Sequence, residues 1–243
     1  TGIQPPTHRK MSNIHIIMPV KDSLDTAREA IEAILQQKSV DPTVYNDFST
    51  PENTDALKVM AKEKGFRLVN WADHTDHPSP NYRLTLQDAQ ERAIREGAHL
   101  VIVESDVTVR QDTIRKMEAE VKEGVGMVAA VTVDIAGNIN FPYLYANNMG
   151  SSTISTNKRF SFCCTLLTLD FLKAYSFKQL DPEKSWYDVT ISHMSTHLGF
   201  QNLLMLDNKV LHRPHSSRPW KLLKYTNPLK YYWQKITRKR DRI

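Results

Sequence analysis

No apolar run in the chain approaches the roughly 20 residues needed to span a membrane, and no signal-peptide pattern opens it. Cysteine is nearly absent. The two present, Cys163 and Cys164, are adjacent, which excludes a disulfide framework and a metal-ligand spacing of their own. They read as reduced core residues of a cytosolic protein. Glycine is missing from Pro19 to Ser23, the end of the first apolar run, where a glycine-rich phosphate loop would need it. No Gly/Ser-rich linker and no internal repeat divides the sequence, so one compact unit is expected. Acidic residues are scarce at the C-terminal end. From Arg213 onward there are ten Lys or Arg and one acid, a balance of +9 against +5 for the chain, which leaves a mildly acidic body at −4. That distribution argues against a nucleic-acid-binding body.

What is present is a chain of 243 residues, 40% hydrophobic, enough for one large domain. Short apolar runs alternate with helical periodicity. Ile14–Met18, Thr43–Phe48, Phe66–Trp71, Leu100–Val103 and Val125–Val133 read as strands. Ser23–Gln37, a helix opening at Pro51 and closed by Gly65, Leu84–Glu96 and Gln111–Glu123 read as helices between them. Thr50 is suited to cap the second helix and Pro51 to its first position. Strand–helix alternation predicts parallel β-α-β units with both sheet faces covered, which accounts for the continuous apolar run at Leu100–Val103. The second half is polar from Asp134 to Lys158. It then predicts a strand at Arg159–Leu169, a helix at Tyr187–Leu198 and a short strand at Phe200–Met205.

Leu100–Val103 runs directly into Glu104-Ser105-Asp106. In an open α/β sheet, ligands bind beyond the carboxyl ends of the strands. Residues two apart in an extended segment face one way, so Glu104 and Asp106 suit a hard cation and a neighbouring hydroxyl. A solvated turn is the ordinary alternative. Asp22 and Asp47 end two other strands, and the acids converge if these strands are parallel neighbours. A converged acidic edge is destabilised by like-charge repulsion, which a cation or a hydrogen-bonding ligand would offset. His212 and His215 follow the last strand, where a neutral imidazole can complete a metal site. His193 and His197 have helical spacing but no zinc-protease glutamate, and read as ordinary helix residues. The long polar loop Asp73–Arg83 has the character of a functional loop.

"IIMPVKDSLDTAREAIEAILQQ", "VYNDFSTPENT", "VIVESDVTV", "WYDVTISHMSTHLGF" and "VLHRPH" resemble, in order, the blocks of family 2 glycosyltransferases over about residues 13–215. The resemblance implies the GT-A fold, a Rossmann-like, mostly parallel α/β sheet flanked by helices with a smaller acceptor-side region. It implies a nucleotide-binding half at 11–133 and an acceptor and catalytic half of the same domain at 134–215. Residues 1–10 would be a cloning scar or flexible arm, and 216–243 a basic aromatic tail. Implied at the nucleotide sugar are Pro19, Val20, Asp22, Asp47, Asn81, Arg83, Glu104 and Ser105. Asp106 and His212, with His215 as rival, are implied to hold Mn²⁺ or Mg²⁺.

The chain departs from the family pattern at Glu104 for Asp, at Asn46-Asp47-Phe48-Ser49 for two acids before Gly-Ser, and at Tyr187-Asp188 for Glu-Asp. The last change leaves Asp188 as the nearest carboxylate for a catalytic base, with a helix-capping acid as its ordinary reading. The implied reaction moves a sugar from a UDP- or GDP-sugar to a saccharide or lipid-linked acceptor hydroxyl, with inversion, in bacterial-type polysaccharide or glycoconjugate synthesis. A nucleotidyltransferase and a non-catalytic binding protein with a decayed site are the alternatives. Basic and aromatic residues from 219 onward suit an anionic membrane surface, which would make the protein peripheral on the cytoplasmic face. A tail helix packed on the body is the other reading, and Pro228 predicts two short helices there.

Overall fold

Strand β1 (Ile14–Val20) is flanked in parallel by β2 (Val40–Asn46) and β4 (His99–Val103), with Ile14 opposite Val40 on one side and His99 on the other. The computed structural model describes residues 14–184, 186–213 and 227–237. β3 (Arg67–Asn70) extends the parallel group beside β2. The later strands are β5 (Val107–Thr108), β6 (Val125–Val133), β7 (Thr153–Ser155), β8 (Cys164–Leu167) and β9 (Gln201–His212). The whole sheet has the order β3-β2-β1-β4-β8-β6-β9-β5, with β7 also paired to β9. The sheet is mostly parallel. β8, however, lies antiparallel between β4 and β6.

Helices cover both faces, so alternate residues of one strand enter different cores. Val101 and Val103 belong to one buried cluster, and Leu100 and Ile102 to the other. This two-sided burial is why the strand is apolar throughout. On one face, α1 (Leu24–Leu35) packs with Ala27, Ala30, Ile31 and Ile34, joined by α2 (Pro51–Lys64) and α4 (Thr113–Ala119). On the other lie α3 (Tyr82–Glu96), α5 (Leu169–Ala174) and α6 (Tyr187–His197). α7 (Pro228–Thr237) is the helix described in the tail. Thr50 caps α2 by accepting from the Asn53 amide at 3.4 Å. Gly65 ends that helix at φ 77°, a left-handed conformation that glycine adopts without Cβ strain.

Three expectations are corrected. The strand foreseen at Arg159–Leu169 is only Cys164–Leu167, and the helix foreseen at Gln111–Glu123 is only Thr113–Ala119. The short strand foreseen at Phe200–Met205 is twelve residues long and ends at His212. Polar Asp207, Asn208 and Lys209 hide its continuation. They sit where the β6–β9 register jumps from Met205 to Lys209, and the Asn208 amide is buried against the Thr113 carbonyl at 3.1 Å. β7, inside the polar second half, has no apolar period to reveal it.

Two packing details yield predictions. A Cβ on Gly126 of β6 would lie 2.3 Å from Ser195 Oγ and 2.7 Å from Phe200 Cβ. Gly126→Ala therefore overpacks the α6–β9 junction and should cost about 1–3 kcal/mol, read as a lower urea midpoint. An unchanged midpoint would mean that the junction shifts freely.

His99 concerns pH. Its Nδ1 accepts a hydrogen bond from the Leu169 amide at 2.9 Å, at the start of α5, and burial holds its pKa below the ordinary value. The unfolded chain takes up this proton first as pH falls. The contribution to stability is thus complete above about pH 6.5 and is lost as pH falls from there toward the folded pKa. His99→Asn keeps an acceptor but does not titrate, so its urea midpoint should fall less than the wild type's between pH 7.5 and 5.5. Parallel pH curves would remove His99 from the account.

Candidate active site at the carboxyl edge of the sheet

β1 and β2 end on two acids that fasten the edge of the sheet. Asp22, at φ 52°, donates its amide to Ser49 Oγ at 2.8 Å. Its Oδ1 accepts from the Thr50 amide at 2.8 Å and from Asn53 Nδ2 at 3.1 Å. These bonds at the start of α2 hold its pKa below the usual carboxylate range. Pro19 and Val20 lie opposite Tyr45 and Asn46 in the register, with Val20 buried. Asp47 accepts from Ser79 Oγ at 2.7 Å, from the Asn81 amide at 2.9 Å and from Asn81 Nδ2 at 2.8 Å. The polar loop before α3 is therefore clamped onto the end of β2. Asn81 is 2% exposed, and its side chain also bonds the His77 carbonyl at 3.1 Å. Arg83 follows on α3 and lines a cleft of about 290 Å³ with His77, Asn81, Pro182 and Tyr187.

A second group of side chains gathers where β4 ends. Glu104, Ser105 and Asp106 form the turn into β5, closed by the Val107 amide donating to the Glu104 carbonyl at 3.0 Å. The long β9 reaches this turn, and the Arg213 amide donates to the Asp106 carbonyl at 2.9 Å. His212 is thereby placed with Nε2 3.5 Å from Asp106 Oδ2. Its Nδ1 lies 2.8 Å from the Phe141 carbonyl, an acceptor, so Nδ1 carries the proton in this contact. Glu104 takes a hydrogen bond from Cys163 Sγ at 3.4 Å, and Ser161 Oγ lies 3.3 Å from the same sulfur.

The electrostatics follow from burial. Burial, followed by the Asp106 charge, pushes Glu104 up to about 7, with His212 opposing and Asp188 adding to the rise. For His212, burial works against the charged form, but the hydrogen bond and charge of Asp106, the Glu104 charge and the Phe141 carbonyl together raise its pKa. Burial, then Glu104, hold the Cys163 thiol far above its usual range. The Tyr82 hydroxyl is buried with no hydrogen-bond partner among the described residues, and burial followed by the charges of Glu104 and Asp188 keeps it protonated. Asp188 sits in the first turn of α6, and its Oδ1 accepts from the Val189 amide at 2.9 Å. The ring of Tyr187, the first residue of α6, lies 6.5 Å from that of Tyr82, so α6 opens toward the same centre. Tyr187 instead bonds the Asp181 carbonyl at 3.1 Å.

The structure thus brings Glu104, Asp106, His212 and Asp188 into one neighbourhood. Asp22, Asp47 and Asn81 spend their side chains on the frame beside it. Half-buried Asp106, 3.5 Å from the buried His212 imidazole, with half-buried Glu104 beside them, forms a donor set that fits a divalent cation, whose charge would offset the repulsion that raises Glu104. A second acid–histidine cluster, His15, Asp41 and Glu96, is also present. There Arg92 bonds both carboxylates, which makes it an ion-pair network.

Four members of the centre escaped sequence reasoning: Tyr82, Cys163, Ser161 and the Phe141 carbonyl. Cys163 lies in the turn before β8, where its sulfur meets Glu104, while Cys164, the first residue of the strand, approaches Met117 Sδ at 3.8 Å. His193 and His197 are exposed on α6. His215, residues 1–13, and the tail at 214–226 and 238–243 lie outside the described residues. Within α7, Leu229, Tyr232 and Trp233 are exposed and Tyr231 is buried. No described helix is long and apolar enough to cross a membrane.

No family model matches the chain, and no curated protein matches it in sequence. Solved structures do match it. A mannosyltransferase from Pyrobaculum calidifontis in complex with GDP-Man and Mn²⁺ superposes with a TM-score of 0.64 at 14% identity, over 92% of this chain and 64% of that one. S. aureus TarS 1–349 gives 0.62 at 16% identity, over 87% and 62%. GalNAc-T7 with UDP, GalNAc and Mn²⁺ gives 0.61 at 9%, over 84% and 44%. The chain therefore spans less than two thirds of the length of each. These superpositions show the fold: the chain has a GT-A-type α/β fold, like that of these three structures.

Proposed function

We propose that the protein is a family 2-like glycosyltransferase that moves a sugar from a nucleotide diphosphate sugar to an acceptor hydroxyl, with inversion. The observation that carries this reading is the meeting of Glu104, Asp106, His212 and Asp188 at the carboxyl edge of a GT-A sheet. Asp106 and His212 would hold Mn²⁺ or Mg²⁺. The Phe141 carbonyl supports this by occupying Nδ1 of His212, so the neutral ring keeps its Nε2 lone pair for the metal. The bound cation would neutralise charge developing on the diphosphate leaving group.

The chain's own groups do the rest. Glu104 and Ser105 accept from hydroxyls of the ribose or the sugar. Pro19, Val20, Asp22 and Asp47 wall the nucleotide pocket, and Asn81 and Arg83 border the diphosphate or sugar. Asp188 removes the acceptor's proton as that oxygen attacks the anomeric carbon. The GDP-Man of the mannosyltransferase and the UDP of GalNAc-T7 make GDP- and UDP-sugars the donors to try first. A saccharide or lipid-linked acceptor, in polysaccharide or glycoconjugate synthesis, fits the polar second half of the chain.

A thermal-shift screen of nucleotide diphosphates with and without Mn²⁺ is the direct test, because a ligand of the folded state raises apparent stability. Stabilisation by UDP or GDP only in the presence of the metal is expected. A flat screen would overturn the reading. A binding protein with a decayed site is favoured by one observation, the internal saturation of Asp47 by Ser79 and Asn81. Binding without turnover of any sugar nucleotide would support it.

The tail suggests where the enzyme works. Exposed Leu229, Tyr232 and Trp233 on α7, together with basic residues across 219–243, support docking on an anionic membrane at the cytoplasmic face. Each basic residue near such a surface contributes about 1 kcal/mol, so several together give reversible, salt-sensitive binding. The full chain should sediment with anionic vesicles at low salt, whereas a truncation after Arg218 should stay folded and remain in the supernatant. Indifference of the full chain to such vesicles would remove the membrane.

A further inference from the structure

Arg83 is a half-buried cation with no ion-pair or hydrogen-bond partner among the described residues. Arg92, half-buried on the same helix, is by contrast saturated by Asp41, Thr43 and Glu96. A guanidinium carries several donors and keeps its charge, so drawing it out of water is unfavourable until an acceptor is supplied. The cleft that Arg83 lines, about 290 Å³, has no carboxylate in its walls. Asp181 and Glu183 stand on the segment leading to α6, but both are exposed and line no part of it.

The cleft lies between the two ends of the proposed reaction. On one side is Asn81, whose amide and side chain hold Asp47 at the wall of the nucleotide pocket. On the other is Tyr187, the residue before Asp188. A transferred sugar must lie between its diphosphate and the base that serves the acceptor. The volume suits one sugar ring, being near the lower end of the roughly 300–1,000 Å³ of small-ligand sites. Pro80, Pro182 and Tyr187 offer apolar surface to the ring. Thr75 Oγ1 accepts from the His77 amide at 3.1 Å and keeps its own hydrogen to donate to a sugar hydroxyl. Arg83 and Leu84 belong to the first turn of α3, and Tyr187 to that of α6, so the positive ends of two helices reinforce the guanidinium.

The geometry points to a donor whose sugar carries a carboxylate, a nucleoside diphosphate uronate, with that carboxylate seated on Arg83. The inference rests on the nucleotide-sugar reading above and names the substrate class of the same site, with Arg83 at the sugar rather than at the diphosphate. The diphosphate has its own counter-charge in the cation proposed at Asp106 and His212, which leaves Arg83 for a second anion. A planar guanidinium meets a carboxylate through two parallel N–H···O bonds, whereas a neutral hexose presents only a hydroxyl at that position. The carboxylate takes no part in the transfer and serves only to select and orient the sugar.

Calorimetric titration of the full chain with Mn²⁺ tests this, using two ligand sets: UDP, UDP-glucose and UDP-glucuronate, and GDP, GDP-mannose and GDP-mannuronate. Within the set whose base is bound, the uronate should bind at least about tenfold tighter than its neutral counterpart. Arg83→Gln should collapse that ratio to near one. Arg83→Lys should restore only part of it, because an ammonium is a point charge without the fork. The lysine variant, with melting temperature recorded, carries the test if the glutamine variant fails to fold. Equal affinity of the wild type for uronate and neutral sugar, with the diphosphate bound, would overturn the inference and leave the nucleotide-sugar reading standing. An equal loss of all three ligands in Arg83→Gln would assign Arg83 to the diphosphate and likewise overturn it. Absence of binding by either diphosphate would overturn both.

Discussion

Asp106→Asn should abolish metal-dependent binding of a nucleoside diphosphate, by at least about 100-fold, and leave the fold intact. The expected loss is large because the residue would contribute charge to a centre already shielded from water, where removing a partner of a cation costs more than at an exposed position. The fold survives because Asp106 lies in a turn whose structural bonds are made by the main chain, with the Arg213 amide on its carbonyl and the Val107 amide on that of Glu104. Removing its charge also lifts a cause of the raised Glu104 pKa, so the melting temperature should stay within a few degrees of the wild type. Calorimetric titration of UDP and GDP with Mn²⁺ reads the effect. Undiminished affinity in the variant would take Asp106 out of the metal site.

Asp188→Asn should retain donor binding and lose transfer by about 10²–10⁴-fold, because an amide cannot take the acceptor's proton. The substitution is nearly isosteric, and Asn keeps an oxygen for the Val189 amide that Asp188 holds at 2.9 Å, so the start of α6 is preserved. Loss of kcat with little change in the donor KM would mark an interaction made in the transition state. Transfer at near wild-type rate would reduce Asp188 to an acid at a helix start, and the base would have to be sought elsewhere. The buried Tyr82 and the neighbouring Glu104 make this comparison informative. Both feel the Asp188 charge, so the neutral amide alters their surroundings without moving the backbone.

Local signals sufficed for the parallel half of the molecule. The Thr50 cap, Pro51, and Gly65 and Gly97 in left-handed conformations bound α2 and α3 where propensity and steric limits put them. The unbroken apolar run of β4 announced a strand buried on both faces. From parallel strands it followed that Asp22, Asp47 and Glu104-Ser105-Asp106 would share one edge, since parallel neighbours end on the same side.

The second half depended on contacts between residues far apart in the chain, which periodicity does not encode. β8 runs antiparallel to β4, and β9 continues through polar Asp207–Lys209 because Asn208 is satisfied by the distant Thr113 carbonyl. Only that extension carries His212 to Asp106, and only the β4–β8 pairing sets the Glu104 amide on the Cys163 carbonyl and the Cys163 sulfur against the Glu104 carboxylate. By itself the sequence determined which residues carry charge and which strand ends they occupy. The tertiary structure decided which of them spend that charge on the frame, as Asp22 and Asp47 do, and which are driven together in a buried centre. The reason is physical: hydrogen-bond saturation and desolvation arise from neighbours in space, and neither has a signature along the chain.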